Sequence, residues 1–235
     1  MNYIDTPYVR EFESIAKNAG ILAGASYYTW LGNPWYKLSP NTMPLLGLYE
    51  ASNPLVASKH VDWASGFGIN HFYCAYTPGT QDGGIEPYLI GDEIEIRWGE
   101  RINSNRLKAF DAVTGYTLPP TGNYVDRSPS AVRAEYSRWQ SAAHSVGVEI
   151  VPSVSPGFDD RYLVQIGYRA KSYGYVPRSI EYFKTNLQIA KEFVDKSKLL
   201  KISTWNEWEE NTNIEPTVQE GYGYLQTLRD TLAGQ

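Results

Sequence analysis

Two glutamates near the end of the chain, Glu207 and Glu210, have the residue type and spacing that acid–base chemistry needs. On a helical turn, side chains three residues apart share a face, with Cβ atoms ~5–6 Å apart. Retaining glycosidases hold their two carboxyl groups ~5–5.5 Å apart, and inverting glycosidases ~6.5–9.5 Å apart. Two carboxylates this close cannot both ionise freely, so the pKa of one rises and that group can act as an acid near neutral pH. We therefore predict that Glu207 and Glu210 are a catalytic pair.

Two tryptophans, Trp205 and Trp208, are interleaved with these glutamates in the run Trp-Asn-Glu-Trp-Glu-Glu. An acidic run is commonly a solvated turn, and that alternative applies here. Large rings in an exposed acidic loop are unusual, however. Indoles beside a carboxyl group would lower the local dielectric and raise its pKa further. The pattern favours a site that is walled by aromatic rings.

The composition points to sugars rather than nucleic acid. Aromatic residues make up 14% of the 235 residues, with 19 Tyr and 7 Trp against 7 Phe, so most of the rings carry a polar group. Such rings suit surfaces that contact sugar faces, although aromatic residues also favour β-strands in general. The formal net charge is −5 and no basic block is present, which argues against a nucleic-acid partner. The oligomeric state is left open.

Cysteine and histidine usage excludes several classes of site. The single cysteine, Cys74, cannot form an internal disulfide, and its apolar surroundings predict a buried thiol. The three histidines (His60, His71, His144) lack the spacing of zinc ligands, so no metal and no cofactor are expected. No run approaches the ~18 apolar residues that span a bilayer. The polar N-terminus shows no signal peptide, and a soluble cytoplasmic protein is expected.

Strand-like and helix-like segments alternate along the chain. Buried strands are predicted over 21–30, 69–76, 87–96, 110–116, 148–154 and 199–205. Helices are predicted over 55–65, from Ser128-Pro129 to residue 146, and from Ser179 to residue 194. This order predicts one α/β domain over 1–235, a (β/α)8-type barrel. Residues 77–86 form a loop-like stretch where further strands are expected, so the barrel is predicted to be incomplete or shortened in its middle strands.

The carboxyl ends of barrel strands are where catalytic and binding residues gather. The residues predicted there to bind substrate are Tyr27, Tyr28, Trp30, Tyr76, Tyr116, Asp159, Asp160, Trp205, Asn206 and Trp208. Two alternatives stay open. The two aspartates either hold sugar hydroxyls or shape the turn after Pro156-Gly157, and the first-strand aromatics either stack on sugars or pack the barrel. His60 is predicted to be a packing residue.

Several segments of the chain resemble those of a known family. The run from Ser203 to Pro216 resembles the signature of glycoside hydrolase family 99 and of the family-99-like, lipopolysaccharide-biosynthesis-associated proteins. Three more segments are similar to family motifs in the same order: Tyr27-Tyr28 with Trp30, residues 110–116 and residues 151–159. The resemblance covers most of the chain.

The resemblance implies a (β/α)8 barrel that acts inside glycans or polysaccharides on α-mannoside-type linkages, with retention and without metal. Glu207 would be the base at the sugar 2-hydroxyl, which gives an anhydro intermediate, and Glu210 the general acid and then base. Asn206 and Glu215, within the signature run, would bind substrate. The chain departs from the family where Asn211 replaces the common glycine. The short middle keeps an alternative open: a non-catalytic carbohydrate-binding or polysaccharide-assembly protein on a degenerate barrel.

Overall fold

The computed structural model describes residues 20–29, 35–39, 42–74, 94–95, 111–115 and 128–234. A short 3-10 helix covers Trp35–Lys37. The strands are β1 (Leu22–Tyr27), β2 (Ile69–Cys74), β3 (Ile94–Glu95), β4 (Ala112–Thr114), β5 (Glu149–Val151), β6 (Ser153–Val154), β7 (Phe158–Asp159), β8 (Tyr175–Val176) and β9 (Leu199–Ile202). The helices are α1 (Pro54–Gly66), α2 (Pro129–His144), α3 (Arg161–Gln165), α4 (Ile180–Glu192) and α5 (Gly223–Leu232).

Parallel strands form the centre of the fold. The first strand, β1, lies between β2 and β9, and β9 pairs with β6 on its other side. A second parallel set has the order β3-β4-β5. Only Pro152 separates β5 from β6, and proline has no N–H to donate to a strand ladder. One interrupted strand therefore joins the two sets, as in an α/β barrel sheet.

All six predicted strand segments contain strands, and the three predicted helices are present. The helices begin where the cap residues predict. The Ser128 hydroxyl accepts from the Ala131 N–H at 3.3 Å, and the Ser179 hydroxyl accepts from the Tyr182 N–H at 3.0 Å. Helix α5, helix α3 and the β7–β8 hairpin were not predicted. Within the described ranges, no helix is both long and apolar enough to cross a membrane.

The two faces of the central strands differ. One face packs against the helices, where buried side chains such as Leu200, Ile202 and Phe183 belong to one apolar core. On the other face, the hydroxyls of Ser153 and Ser203 are 2.9 Å apart. A Cβ on Gly24 would lie 2.2 Å from Nε2 of His71. The glycine in β1 therefore lets the His71 side chain cross the strand.

The prediction of a buried thiol is wrong. Cys74 is exposed. It is the last residue of β2, and among the described strands β2 pairs only with β1, so the end of this strand is only partly covered. The predicted loop over 77–86 lies outside the described residues, and a complete barrel is not shown.

Replacing Leu200 by alanine should destabilise the protein, because this fully buried side chain belongs to the apolar core. It lies in β9, between β1 and β6. The expected loss is ~2–5 kcal/mol of unfolding free energy, measured by urea denaturation. Leu22→Ala, at a position 43% exposed in β1, is the matched control and should change stability much less. Equal losses for both variants would contradict this packing.

Candidate active site

The glutamate pair lies on a turn directly after β9. The peptide between Ser203 and Thr204 is cis. The Glu207 N–H donates to Oγ1 of Thr204 at 2.9 Å, and the Asn211 N–H donates to the Trp208 carbonyl at 3.3 Å. These bonds close a turn over residues 208–211, immediately after Glu207. The turn expected after the last strand is therefore present. Residues 206–211 are called the glutamate turn below.

Glu207 occupies a desolvated position. The residue is 7% exposed. Burial raises the pKa of its carboxyl well above the usual value, and the negative charges of Glu210 and Glu209 raise that pKa further. The N–H of Glu209 and the positive charge of Arg169 oppose this rise without cancelling it. The structure therefore favours a protonated Glu207.

Glu210 is about as buried, at 9% exposed, but it has a cation as its partner. Nη2 of Arg169 donates to its Oε1 at 2.6 Å, and Nη1 of the same guanidinium donates to Oδ2 of Asp160 at 2.8 Å. The Glu210 side chain is 12% exposed, so this ion pair is partly shielded from water. The positive charge of this guanidinium faces the Glu210 carboxyl directly, in a charge-assisted hydrogen bond. Of the predicted pair, one glutamate is thus suited to hold a proton and the other a negative charge.

The two aspartates after β6 make different contacts, and Asp160 alone holds the segment that supplies Arg169. Asp160 is fully buried, and it accepts from the Ser172 hydroxyl and from the Tyr173 N–H at 2.9 Å. Asp159 pairs with Arg161 at 2.8 Å. The contacts of Asp160 fit the alternative in which it shapes the loop. Sugar binding by Asp159, whose side chain is 29% exposed, stays a prediction.

Asn206 joins the glutamate turn to the first strand. Its Oδ1 accepts from the Tyr28 N–H at 2.8 Å, and its Nδ2 donates to the Tyr28 carbonyl at 3.0 Å. Trp205 is 0% and Trp208 1% exposed, and Trp208 packs on Tyr28. Both indoles lie inside the protein next to the turn. Their burial contributes to the desolvation of the turn, and their contact with a sugar stays a prediction.

Glu215 is the centre of a buried hydrogen-bond network. Its Oε2 accepts from the Tyr49 hydroxyl at 2.7 Å and from Nε1 of Trp208 at 3.1 Å. Its Oε1 is 3.1 Å from Nε2 of His60, whose Nδ1 is 3.0 Å from the Tyr27 hydroxyl. Burial, and secondarily the charge of Glu215, raise the pKa of Tyr27. Tyr27, Glu215 and the packing residue His60 therefore connect the first strand to the glutamate turn, and substrate contact by the first two stays a prediction.

Three predicted substrate-binding residues, Trp30, Tyr76 and Tyr116, lie outside the described residues. Sequence reasoning missed Arg169 and Tyr49, the charged and hydroxyl partners of two site glutamates. Neither belongs to a recognisable motif, and only the folded chain brings them to the site. Among the residues that the structure describes, no group of three or more His, Cys, Asp or Glu is arranged to hold a metal ion.

Glu207→Gln should stabilise the protein increasingly as the pH rises. A carboxyl whose pKa is raised by folding adds stability below the pKa of the unfolded chain, and this stability is lost as the pH rises through the folded pKa. Glutamine does not titrate, and each unit of raised pKa corresponds to ~1.4 kcal/mol. Melting temperatures of both proteins from acid to mildly alkaline pH test this. Exposed Glu181→Gln is the control, and a pH-independent difference would contradict the burial of Glu207.

Asn211→Ala should be less stable than Asn211→Gly. Asn211 has a φ of 54°, a left-handed conformation that glycine adopts freely and that costs other residues ~1–2 kcal/mol. Both variants lose the bond from Nδ2 to the Asp159 carbonyl, so the difference between them is the strain of alanine less the extra entropy that glycine loses on folding. Urea denaturation should separate them by ~1 kcal/mol. An alanine variant at least as stable as the glycine variant would exclude the strain. The left-handed φ also explains why the chain has asparagine where the family pattern commonly has glycine.

Comparison with known proteins agrees with this architecture. Residues 125–228 match the family model of the glycosyltransferase WbsX. A solved glycoside hydrolase-like protein aligns over 98% of both chains with 17% identity and a TM-score of 0.66. Two structures of a family-99 endo-α-mannosidase from Bacteroides thetaiotaomicron align over 90% of this chain. The one in complex with bis-tris propane has 97% of its chain covered, 16% identity and a TM-score of 0.61. The other has 95% covered, 14% identity and a TM-score of 0.59.

No curated protein matches the chain in sequence. The match over residues 125–228 includes the β7–β8 segment, α4, β9 and the whole glutamate turn. At these low identities the solved structures establish the fold alone. The resemblance indicated by the sequence is confirmed: this chain has a fold of the glycoside hydrolase family 99 type, and its C-terminal part matches the WbsX family.

Proposed function

We propose that the protein is a retaining, endo-acting glycoside hydrolase for α-mannoside-type linkages in glycans, with Glu207 and Glu210 as its catalytic pair. The observation that carries the proposal is the different electrostatic setting of two buried carboxyl groups: Glu207 lies near two other acids, and Glu210 is paired with Arg169. Glycoside hydrolysis needs a proton donor and a negatively charged partner at the same linkage. The family-99-type fold supports the reaction class.

The chemistry divides between the two side chains. One carboxyl group gives its proton to the leaving-group oxygen, and the other group, ionised, either removes the proton of the sugar 2-hydroxyl or stabilises the positive charge that develops on the sugar ring. Burial and two neighbouring acids oppose the ionisation of Glu207 in the free protein, so Glu207 is the better suited of the two to hold the proton. Glu210 accepts from Arg169, so it is the better suited to carry the negative charge.

This distribution is the reverse of the roles that the resemblance implies, in which Glu207 is the base. A bound sugar can change it, since the charge on Glu210 depends on one guanidinium that also pairs with Asp160. If a bound ligand moves Arg169 away from Glu210, Glu210 loses the cation that stabilises its negative charge. The proton of the pair can then move from Glu207 to Glu210. We therefore propose Glu207 and Glu210 together as the catalytic pair, and a separate measurement decides which of them is the acid.

The α-mannoside linkage is the substrate supported by the names of the structural neighbours, which are endo-α-mannosidases. A second reaction is supported by the matching family model, which is named for a glycosyltransferase. If the same carboxyl pair runs a transfer reaction, it cleaves a glycosidic donor linkage as it would in hydrolysis. They differ in whether water or a sugar hydroxyl receives the glycosyl group, so product analysis distinguishes them.

Glu207→Gln and Glu210→Gln should each lower turnover of an activated aryl α-mannoside, or of yeast mannan, by at least ~100-fold, the usual contribution of a positioned acid or base. Initial rates with the wild type as reference measure this. Glu181→Gln is the matched control, since Glu181 is an exposed glutamate in the first turn of α4. Wild-type rates in both pair variants would reject the enzyme mechanism. Binding without any product in the wild type would favour a carbohydrate-binding protein.

The leaving group separates the two roles. A dinitrophenyl α-mannoside needs little protonation on departure, so the variant that lacks the general acid should keep its first chemical step with this substrate. The variant that lacks the partner should stay slow with every leaving group. Burst kinetics of both Gln variants measure this. A burst in Glu207→Gln alone assigns the acid to Glu207, and a burst in Glu210→Gln alone supports the roles that the resemblance implies.

A further inference from the structure

Three tyrosines beside the glutamate pair are unusually exposed. Tyr168 and Tyr173 are each 53% exposed and Tyr175 is 48% exposed, all within eight residues of chain. Among the described residues, they are the tyrosines that stand out as exposed large apolar side chains. Single exposed rings are common, but a group of them marks a surface that binds something. These three rings are called the tyrosine surface below.

Each ring of the tyrosine surface is held by a cation that also pairs with an acid near the active site. Nζ of Lys37 is 3.8 Å from the centre of the Tyr168 ring and 3.3 Å from Oε1 of Glu209. Glu209 lies between the two proposed catalytic residues in the chain. A cation over one face of a ring fixes the orientation of the ring.

The other two cations repeat this arrangement. The guanidinium of Arg169 lies 4.9 Å from the centre of the Tyr173 ring and donates to Glu210 at 2.6 Å. The guanidinium of Arg161 lies 3.7 Å from the centre of the Tyr175 ring and pairs with Asp159 at 2.8 Å. Each of the three rings is therefore linked through one cation to an acid on or beside the glutamate turn.

The backbone beneath the tyrosine surface is fixed at both ends. Strands β7 and β8 pair in antiparallel register, with Asp159 opposite Tyr175. Between them, buried Asp160 holds the Ser172 hydroxyl and the Tyr173 N–H. A surface that is ordered before binding loses less conformational entropy on binding. The rings are thus positioned before any ligand arrives.

The chemistry of this surface selects its ligand. Rings with a polar hydroxyl combine an apolar face with hydrogen bonding, which suits a pyranose ring. The charged groups in contact with these rings and their cations are three cations (Lys37, Arg161 and Arg169) and four carboxylates (Asp159, Asp160, Glu209 and Glu210), and each of these cations is already paired. A further cation, Lys171, is exposed in the same segment. A saccharide with its own negative charge would face the four carboxylates, so the ligand that we consider is a neutral hexose.

We propose that the tyrosine surface is a binding site for the neutral hexose residues that continue the glycan chain beyond the sugar held at Glu207 and Glu210. The proposal rests on the proposed function for the position of the cleaved sugar. It adds a chain-length requirement: affinity and turnover rise when the substrate extends over the three rings. It also explains why the rings stay exposed in a protein that buries its tryptophans at the same site.

The test measures binding by titration calorimetry in a Glu207→Gln background, so that the ligand is not consumed. The probes are methyl α-mannoside, neutral α-manno-oligosaccharides of two to six residues, and an oligomannuronate of similar length. In the Tyr168→Ala/Tyr175→Ala double variant, affinity for the longer neutral oligosaccharides should fall by about tenfold, from the loss of two ring contacts. Affinity for methyl α-mannoside should change by less than about twofold, and the oligomannuronate should bind more weakly throughout.

The controls separate ring contact from damage to the fold. Tyr168→Phe/Tyr175→Phe keeps the ring faces and should keep most of the affinity for long oligosaccharides. Val61→Ala, at a position 56% exposed on α1, removes an exposed apolar side chain elsewhere and should have no effect. Unchanged melting temperatures confirm that the fold is intact.

The outcomes distinguish this inference from the proposed function. Equal binding of long oligosaccharides by the parent and the double alanine variant would overturn the inference, even if the wild type hydrolyses mannosides. Tyrosine-dependent binding of long oligosaccharides without hydrolysis by the wild type would sustain the inference and reject the proposed reaction. A preference for the oligomannuronate would also overturn the inference, because it contradicts the choice of a neutral ligand.

Discussion

A carboxylate enclosed by protein loses its hydration, so its oxygens must find donors within the chain. Glu215 meets this constraint with Tyr49, Trp208 and His60, and His60 extends the contact to Tyr27. These partners come from the first strand, the segment before α1, α1 itself and the glutamate turn. Removing one partner would leave a buried charge poorly compensated, so the four segments hold one another in place. The position of the proposed catalytic pair depends on this network.

The same short stretch of chain contains carboxyl groups with very different hydrogen-bond partners, and the fold rather than sequence distance accounts for the differences. Glu215 has three side-chain partners, Glu210 has a guanidinium, and Glu207 receives chiefly a backbone N–H while lying near two other acids. Such separation of neighbouring acids is how one site can keep a donor and an anion at the same pH. The tryptophans contribute through burial rather than through exposed ring surface.

The sequence predicted the periodic features well, because apolar runs and cap residues are local signals. Ser128 and Ser179 marked helix starts that the structure confirms, and the turn after β9 is present. The partners of the acids could not be predicted from the sequence, because Arg169 lies 41 residues from Glu210 and belongs to no local pattern. The sequence also could not predict that Asn206, Trp205 and Glu215 are buried. A polar or aromatic residue in a signature run has the same pattern whether it faces a ligand or the core. Cys74 shows the converse, an apolar run that ends in an exposed residue.

The double hydrogen bond between Asn206 and the Tyr28 backbone spans 178 residues of sequence, and β1 pairs with β9 across a similar separation. During synthesis from the N-terminus, β1 leaves the ribosome long before this partner exists. One of its edges, with its unpaired N–H and C=O groups, must therefore wait until the chain has been made as far as β9, and meanwhile it is a template for wrong pairing. Closing so long a loop also slows folding. The contact that shapes the site thus forms only after the whole segment between Tyr28 and Asn206 has been made.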